Sequence, residues 1–157
     1  MPEFITLGDV TRENWRESLT LSVRHDQQRF VSDYAPVALI GLAKAYVGAL
    51  GLTWKPCAIC ADEQMIGFAA LAFQPDTEDE YWLFHYFIDQ RFQGRGYGQR
   101  ALAALLVKVR EIYPICRTMN LTVHPDNLPA QHLYTKAGFA ATGTEAFGEP
   151  LYRLRIK

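Results

Sequence analysis

Residues 93–98 read QGRGYG, with Gly94, Gly96 and Gly98 alternating around Arg95 and Tyr97, and a helix-like stretch, QRALAALLVKVREIY, follows at once. A helix N-terminus presents unpaired backbone N–H groups and a partial positive charge, and glycines before it let an anion approach the backbone closely. With Arg91, Arg95 and Arg100 nearby, the stretch is read as a phosphate-binding loop rather than a plain turn. A P-loop is excluded, because Gln99 and Arg100 follow Gly98 where Lys and Ser or Thr would stand. Gly96, Gly98 and Ala101 do satisfy the dinucleotide pattern G-x-G-x-x-A. However, DQRFQGR separates these glycines from the apolar run before them, and no acidic residue ends RTMNLTV where a ribose would require one.

The elements that must position this loop follow from periodicity and punctuation. FITLGDV reads as a first strand, and Thr11 can cap a helix carrying Trp15, Leu19 and Ser22 or Val23 on one face. PVALIGLAKAYVGAL is a second helix opened by Pro36. KPCAICA and QMIGFAALAF flank the polar DEQ and form a hairpin, and the nearly continuous apolar run YWLFHYFI is the type of strand buried on both faces. Leu102, Leu105, Leu106, Val109, Ile112 and Tyr113 make one helical stripe that Pro114 ends. RTMNLTV is a strand, NLPAQHLYTKAG a helix from Asn127 to a glycine stop at Gly138, and FAATGTEAF with EPLYRLRIK a closing strand pair. The order β-α-α-β-β-β-α-β-α-β-β predicts a mixed α/β (α+β) domain around one sheet, spanning residues 1–157.

Composition excludes several classes. A chain of 157 residues with 49% hydrophobic content suits one core, and a formal charge of -1 supplies no long-range field for nucleic acid or an anionic membrane. No apolar stretch reaches the roughly 20 residues of a membrane span, and the N-terminus lacks a signal-peptide layout, so a cytoplasmic protein is expected. Cys57, Cys60 and Cys116 are odd in number, and the CAIC pair lies on a strand, where residues three apart face opposite sides. They are read as structural cysteines, with no metal expected.

The two helix-opening segments together resemble a known family. QGRGYG is similar to the Q/R-x-x-G-x-G/A signature of the GCN5-related N-acetyltransferases, and NLPAQHLYTKAGF to that family's N-x-x-A-x-x-L-Y-x-x-x-G-F segment. The resemblance covers nearly the whole chain, most weakly in residues 1–55, and implies a mostly antiparallel mixed sheet with a β-α-β acetyl-coenzyme A core. It implies that the coenzyme diphosphate lies on the backbone of Gln93, Gly94, Arg95, Gly96, Tyr97, Gly98 and Gln99. The pantetheine arm would pair with the strand ending Tyr86, Phe87 and Ile88, while Asn127 and Ala130 would touch the coenzyme and Lys136 would reach toward the ribose phosphate. Tyr134 would donate a proton to the departing thiolate.

Within that family the chain looks most like bacterial spermidine/spermine N-acetyltransferases, which implies a small-molecule amine acceptor, with a homodimer left open. The acidic stretch PDTEDE, with Asp26 and Asp33, could attract such a cation, although an acid run before a strand reads more often as a solvated loop. One departure stands out: Phe84 occupies the place where polyamine enzymes tend to carry a strand carboxylate. That leaves His85 and Glu80 as candidate general bases, although regular strand geometry would turn His85 away from Phe84's face. The alternatives are a catalytically silent acyl-coenzyme A module, or a transferase for another amine such as an amino acid, aminoglycoside or protein N-terminus.

Overall fold

The computed structural model describes residues 3–31 and 36–157. In chain order the strands and α-helices are β1 (Ile5–Asp9), α1 (Trp15–Ser18), α2 (Val37–Val47), β2 (Thr53–Ala61), β3 (Gln64–Phe73), β4 (Tyr81–Ile88), α3 (Tyr97–Ile112), β5 (Thr118–Thr122), α4 (Leu128–Lys136), β6 (Ala140–Ala146) and β7 (Glu149–Arg155), with short 3-10 turns at His25–Phe30, Ala49–Gly51 and Gln90–Phe92. They build one seven-stranded sheet in the order β1-β2-β3-β4-β5-β7-β6. Among the described residues only β4 and β5 run parallel, joined by the α3 crossover. Among the described residues no helix is long and apolar enough to cross a membrane.

The period-2 alternation of β3 assigns its two faces to two cores. Ala69, Leu71 and Phe73 join Leu102, Leu105, Leu106 and Val109 of α3, whereas Phe68, Ala70 and Ala72 join Val37 and Ala38 of α2 together with Leu21 and Val23. Cys57 packs against the first core and Cys60 against the second, the opposite-face placement expected of a strand. Both thiols are free, and burial raises their pKa values above the ordinary one.

Two expectations are corrected. The first helix shrinks to the single turn Trp15–Ser18, and Thr11 does not cap it. Instead Asn14 Oδ1 accepts from the Thr11 amide at 2.7 Å and Thr11 Oγ1 from Glu13 at 3.2 Å, a local turn network that competes with helix. Beyond it, residues 21–24 run without helical or strand assignment, their side chains Leu21 and Val23 buried and Ser22 hydrogen-bonded to the end of β4. The second correction is to β4, where Tyr81, Leu83, Phe87 and Ile88 are buried while Trp82, Phe84, His85 and Tyr86 are only partly so.

The reason is that β4 leaves its neighbour. It pairs with β5 only through Tyr81↔Met119 and Trp82↔Asn120. Buried Asn120 ties this closed end, donating to Asp79 O at 2.8 Å and Tyr81 O at 3.0 Å and accepting from Arg153 Nε at 2.9 Å. On the β3 side the register runs Ala70↔Phe84 and then Phe68↔Phe87, so His85 and Tyr86 together oppose Ala69. This is a β-bulge, with His85 at φ +55°, and a bulge bends its strand. The displaced Phe87 carbonyl comes so close to Gly67 that a Cβ there would lie 2.5 Å from it.

Candidate active site

Beyond Trp82 the gap between β4 and β5 opens into a cleft of about 790 Å³. One wall is residues 83–88, the other Thr122, Val123 and His124, and α4 contributes Ala130, Leu133 and Tyr134. The front is closed by Val23, Gln27, Arg29 and Phe30, with Lys44 from α2.

At the far end lies the glycine loop. Gly96 caps α3 at φ +80°, and a Cβ built on it meets nothing within 4 Å, so the conformation and not lack of space demands glycine. The first N–H groups of this 16-residue helix therefore point from the loop at the cleft end. Several contacts hold the loop, among them Tyr97 Oη donating to Glu3 Oε1 at 2.8 Å. Gln93 Nε2 donates to Ile88 O at 2.8 Å, Gln93 and Gln27 exchange amide hydrogen bonds at 3.0 Å, and the Tyr86 hydroxyl donates to Gly98 O.

Asp89 anchors the same region. Its carboxylate, 1% exposed, accepts from Ser22 N at 2.9 Å, Arg91 N at 2.9 Å and Arg91 Nε at 2.8 Å. Burial alone would raise its pKa, but the hydrogen bonds from Arg91 and Ser22 outweigh it and hold the carboxyl below its ordinary value.

Of the residues implied for coenzyme binding, Phe87, Ile88, Gln93, Gly94, Gly96, Tyr97, Gly98, Asn127, Ala130 and Tyr134 line this one cleft. Asn127 is the N-cap of α4, its Oδ1 accepting from Ala130 N at 3.2 Å. Arg95, Gln99 and Lys136 are exposed and lie outside the cleft lining.

Tyr134 is buried, with its ring edge-to-face against Tyr86 at 6.4 Å and Phe139 at 5.8 Å. Among the described residues its hydroxyl makes no hydrogen bond, and burial pushes the phenol well above its ordinary pKa. It stays protonated across the neutral range.

The two base candidates separate. Glu80 is exposed at the closed end of β4, beside Trp82 Nε1 at 3.5 Å, and does not line the cleft. His85 does line it, because the bulge overrides the regular alternation that would have turned it away. Its Nε2 is buried without a hydrogen-bond partner, and burial, then the Lys44 charge, lowers its pKa to about 4. His85 is thus a neutral imidazole at pH 7.

The acidic stretch also lies elsewhere. Glu78 pairs with Arg117 at 3.5 Å and Asp79 accepts from Thr118 Oγ1 at 2.9 Å, both at the closed end, while Asp26 pairs with Arg24 at 3.3 Å. Asp33 lies outside the described residues. Among the described residues lining the cleft, Glu149 is the only carboxylate. It opens β7 where Val123 N donates to Pro150 O at 3.2 Å, and burial raises its pKa while His124 lowers it. Neither Glu149 nor Lys44 carries a local sequence signal, since each reaches the cleft only through sheet pairing or helix docking.

The Acetyltransferase (GNAT) family profile matches residues 12–139. The chain belongs to that family, and an N-acetyltransferase is what the family and its named relatives support. Spermine/spermidine N(1)-acetyltransferase of Bacillus subtilis (strain 168) is 28% identical over 144 residues, covering 88% of this chain and 90% of the relative. Among solved structures, the spermidine N-acetyltransferase of Vibrio cholerae in complex with CoA and spermine superposes with a TM-score of 0.71 at 17% identity, covering 95% of this chain and 92% of the other. PaiA N-acetyltransferase of Thermoplasma acidophilum, in complex with coenzyme A, gives 0.69 at 17% identity over 97% and 99%. At these identities the superpositions speak for the fold.

Proposed function

We propose that this protein transfers an acetyl group from acetyl-coenzyme A to a primary amine of a small molecule, by direct attack within a ternary complex. The observation that carries the reading is the parting of β4 from β5 after Trp82, with the glycine-capped N-terminus of α3 at its end. The residues present fit the donor. An extended amide chain finds an unpaired strand edge in residues 83–87, and a diphosphate finds the N–H groups of the 93–98 loop.

Bound acetyl-coenzyme A would supply an activated acetyl group and a thiol leaving group. Unpaired N–H groups of β4 are preorganised donors beside any developing negative charge. Tyr134 holds its proton at Oη for the leaving sulfur, since burial keeps the phenol protonated. Glu149 is the group that takes the ammonium proton, directly or through one water. His85 keeps its Nε2 buried away from the opening, so it serves instead as a neutral group in the wall.

The second reading, coenzyme binding without catalysis, is favoured by one feature, the aromatic Phe84 on β4 where a carboxylate would otherwise stand. Thiol release from acetyl-coenzyme A across an amine panel tests both. Amine-dependent release is expected, and coenzyme binding with no release for any amine would select the silent module.

A further inference from the structure

The cleft wall around Lys44 bears on the acceptor. Lys44 Nζ lies 5.6 Å from the ring centroids of both Trp54 and Phe84. Aromatic faces stabilise a cation but accept no ordinary hydrogen bond, and an ammonium has three N–H donors to place. Among the described residues no carboxylate pairs with Lys44, and nothing accepts a hydrogen bond from it. The other cation of the cleft, Arg29, is already paired with Asp126 at 3.4 Å. The neighbouring His85 is neutral, with Nε2 buried and unpartnered.

Around Lys44 the wall is aromatic. Phe84 stacks on Trp54 at 5.1 Å and on Trp82 at 5.8 Å, and meets Phe147 edge-on at 5.7 Å. Phe84 and Phe147 both face the cleft. Resting on the acetyltransferase reading, we propose that the acceptor is a primary amine with an apolar or aromatic body and an anionic group, and that Lys44 receives that anionic group. A carboxylate there would fill the ammonium's free donors in a half-desolvated setting, where charge-assisted hydrogen bonds are strongest. Phe84 and Phe147 would cover the body of the molecule, and the amine would face Glu149. A polyamine fits this charge pattern worse. It brings several ammonium groups to a cleft whose described lining offers one carboxylate and an unneutralised lysine.

The experiment compares matched amines that differ by one carboxylate: phenylalanine with 2-phenylethylamine, and 4-(aminomethyl)benzoate with benzylamine, alongside spermidine. Thiol release gives kcat/KM for each. At least one anionic member should exceed its neutral twin and spermidine by about 10- to 100-fold, the range expected of a charged hydrogen bond. Lys44→Gln should collapse that ratio and Lys44→Arg should preserve it. Spermidine outperforming every anionic amine, no turnover of any of them, or a ratio that Lys44→Gln leaves intact would overturn the proposal. Calorimetric titration of the wild type with coenzyme A and the wider amine panel separate the two levels: turnover of some amine without anionic preference defeats this inference alone, whereas failure to bind coenzyme A, or binding with no release for any amine, defeats the acetyltransferase reading as well.

Discussion

Replacing Tyr134 by phenylalanine removes one hydroxyl from the cleft and leaves the ring in place. The ring contacts with Tyr86 at 6.4 Å and Phe139 at 5.8 Å persist, and the hydroxyl has no partner to orphan, so stability should change by less than about 1 kcal/mol. The rate is different. Burial keeps the phenol protonated far above neutral pH, so in the proposed mechanism the wild-type side chain is a standing donor for the sulfur that leaves. Losing a positioned acid typically removes on the order of 10²–10⁴-fold of rate, about 3–5 kcal/mol of transition-state stabilisation. The assay is thiol release at saturating acceptor, and the deficit should appear in kcat with acceptor KM little changed. It should shrink with an acyl donor whose thiol is more acidic, because a better leaving group needs less protonation. A folded Tyr134→Phe protein with wild-type kcat on a true acceptor would refute the reasoning and leave Tyr134 as packing.

Four further outcomes are expected. Gly96→Ala places an L side chain at φ +80°, costing about 1–2 kcal/mol of local strain in open space; the chain should still fold, but coenzyme A affinity by calorimetry should fall about tenfold or more. His85 has a folded pKa of about 4 against 6.5 when exposed, so the unfolded chain binds the extra proton between those values. Its stabilising contribution is full above pH 6.5 and lost as pH falls toward 4, up to about 3 kcal/mol; urea midpoints from pH 7 to 4 should flatten in His85→Leu. Asp89→Asn weakens the acceptor of three hydrogen bonds and should cost about 1–3 kcal/mol in chemical denaturation, with coenzyme KM rising because the loop after β4 loses its anchor. Neutral amides at Asp76, Glu78 and Glu80 should alter acceptor KM by no more than about twofold, since these residues stand outside the cleft; a larger, salt-sensitive rise would return the acidic stretch to acceptor binding.

Much was legible in the chain because it depends on local rules. The glycine loop and the helix behind it follow from residues 93–113 alone, since a left-handed cap and a 3.6-residue stripe are written in neighbours. The same holds for the Asn127 cap, the Gly138 stop and, among the described residues, the order of the seven strands and four α-helices. Where two local tendencies competed, the sequence was ambiguous: residues 11–23 carry a helical spacing, yet Asn14 and Thr11 close a turn and Ser22 is drawn to Asp89, 67 positions away.

Only the tertiary structure decided what faces the cleft. A strand pattern assigns alternate residues to alternate faces, but the bulge against Ala69 breaks that alternation and brings His85 to the wall beside Phe84. Lys44 and Glu149 stand on segments more than 100 residues apart, and α2 docking and β7 pairing bring them to one opening. In the proposed reading the sequence motifs mark the donor end, because a diphosphate would be held by contiguous backbone. The proposed acceptor end is assembled from side chains that are remote in sequence, so the charge that the cleft presents emerges only when the sheet parts.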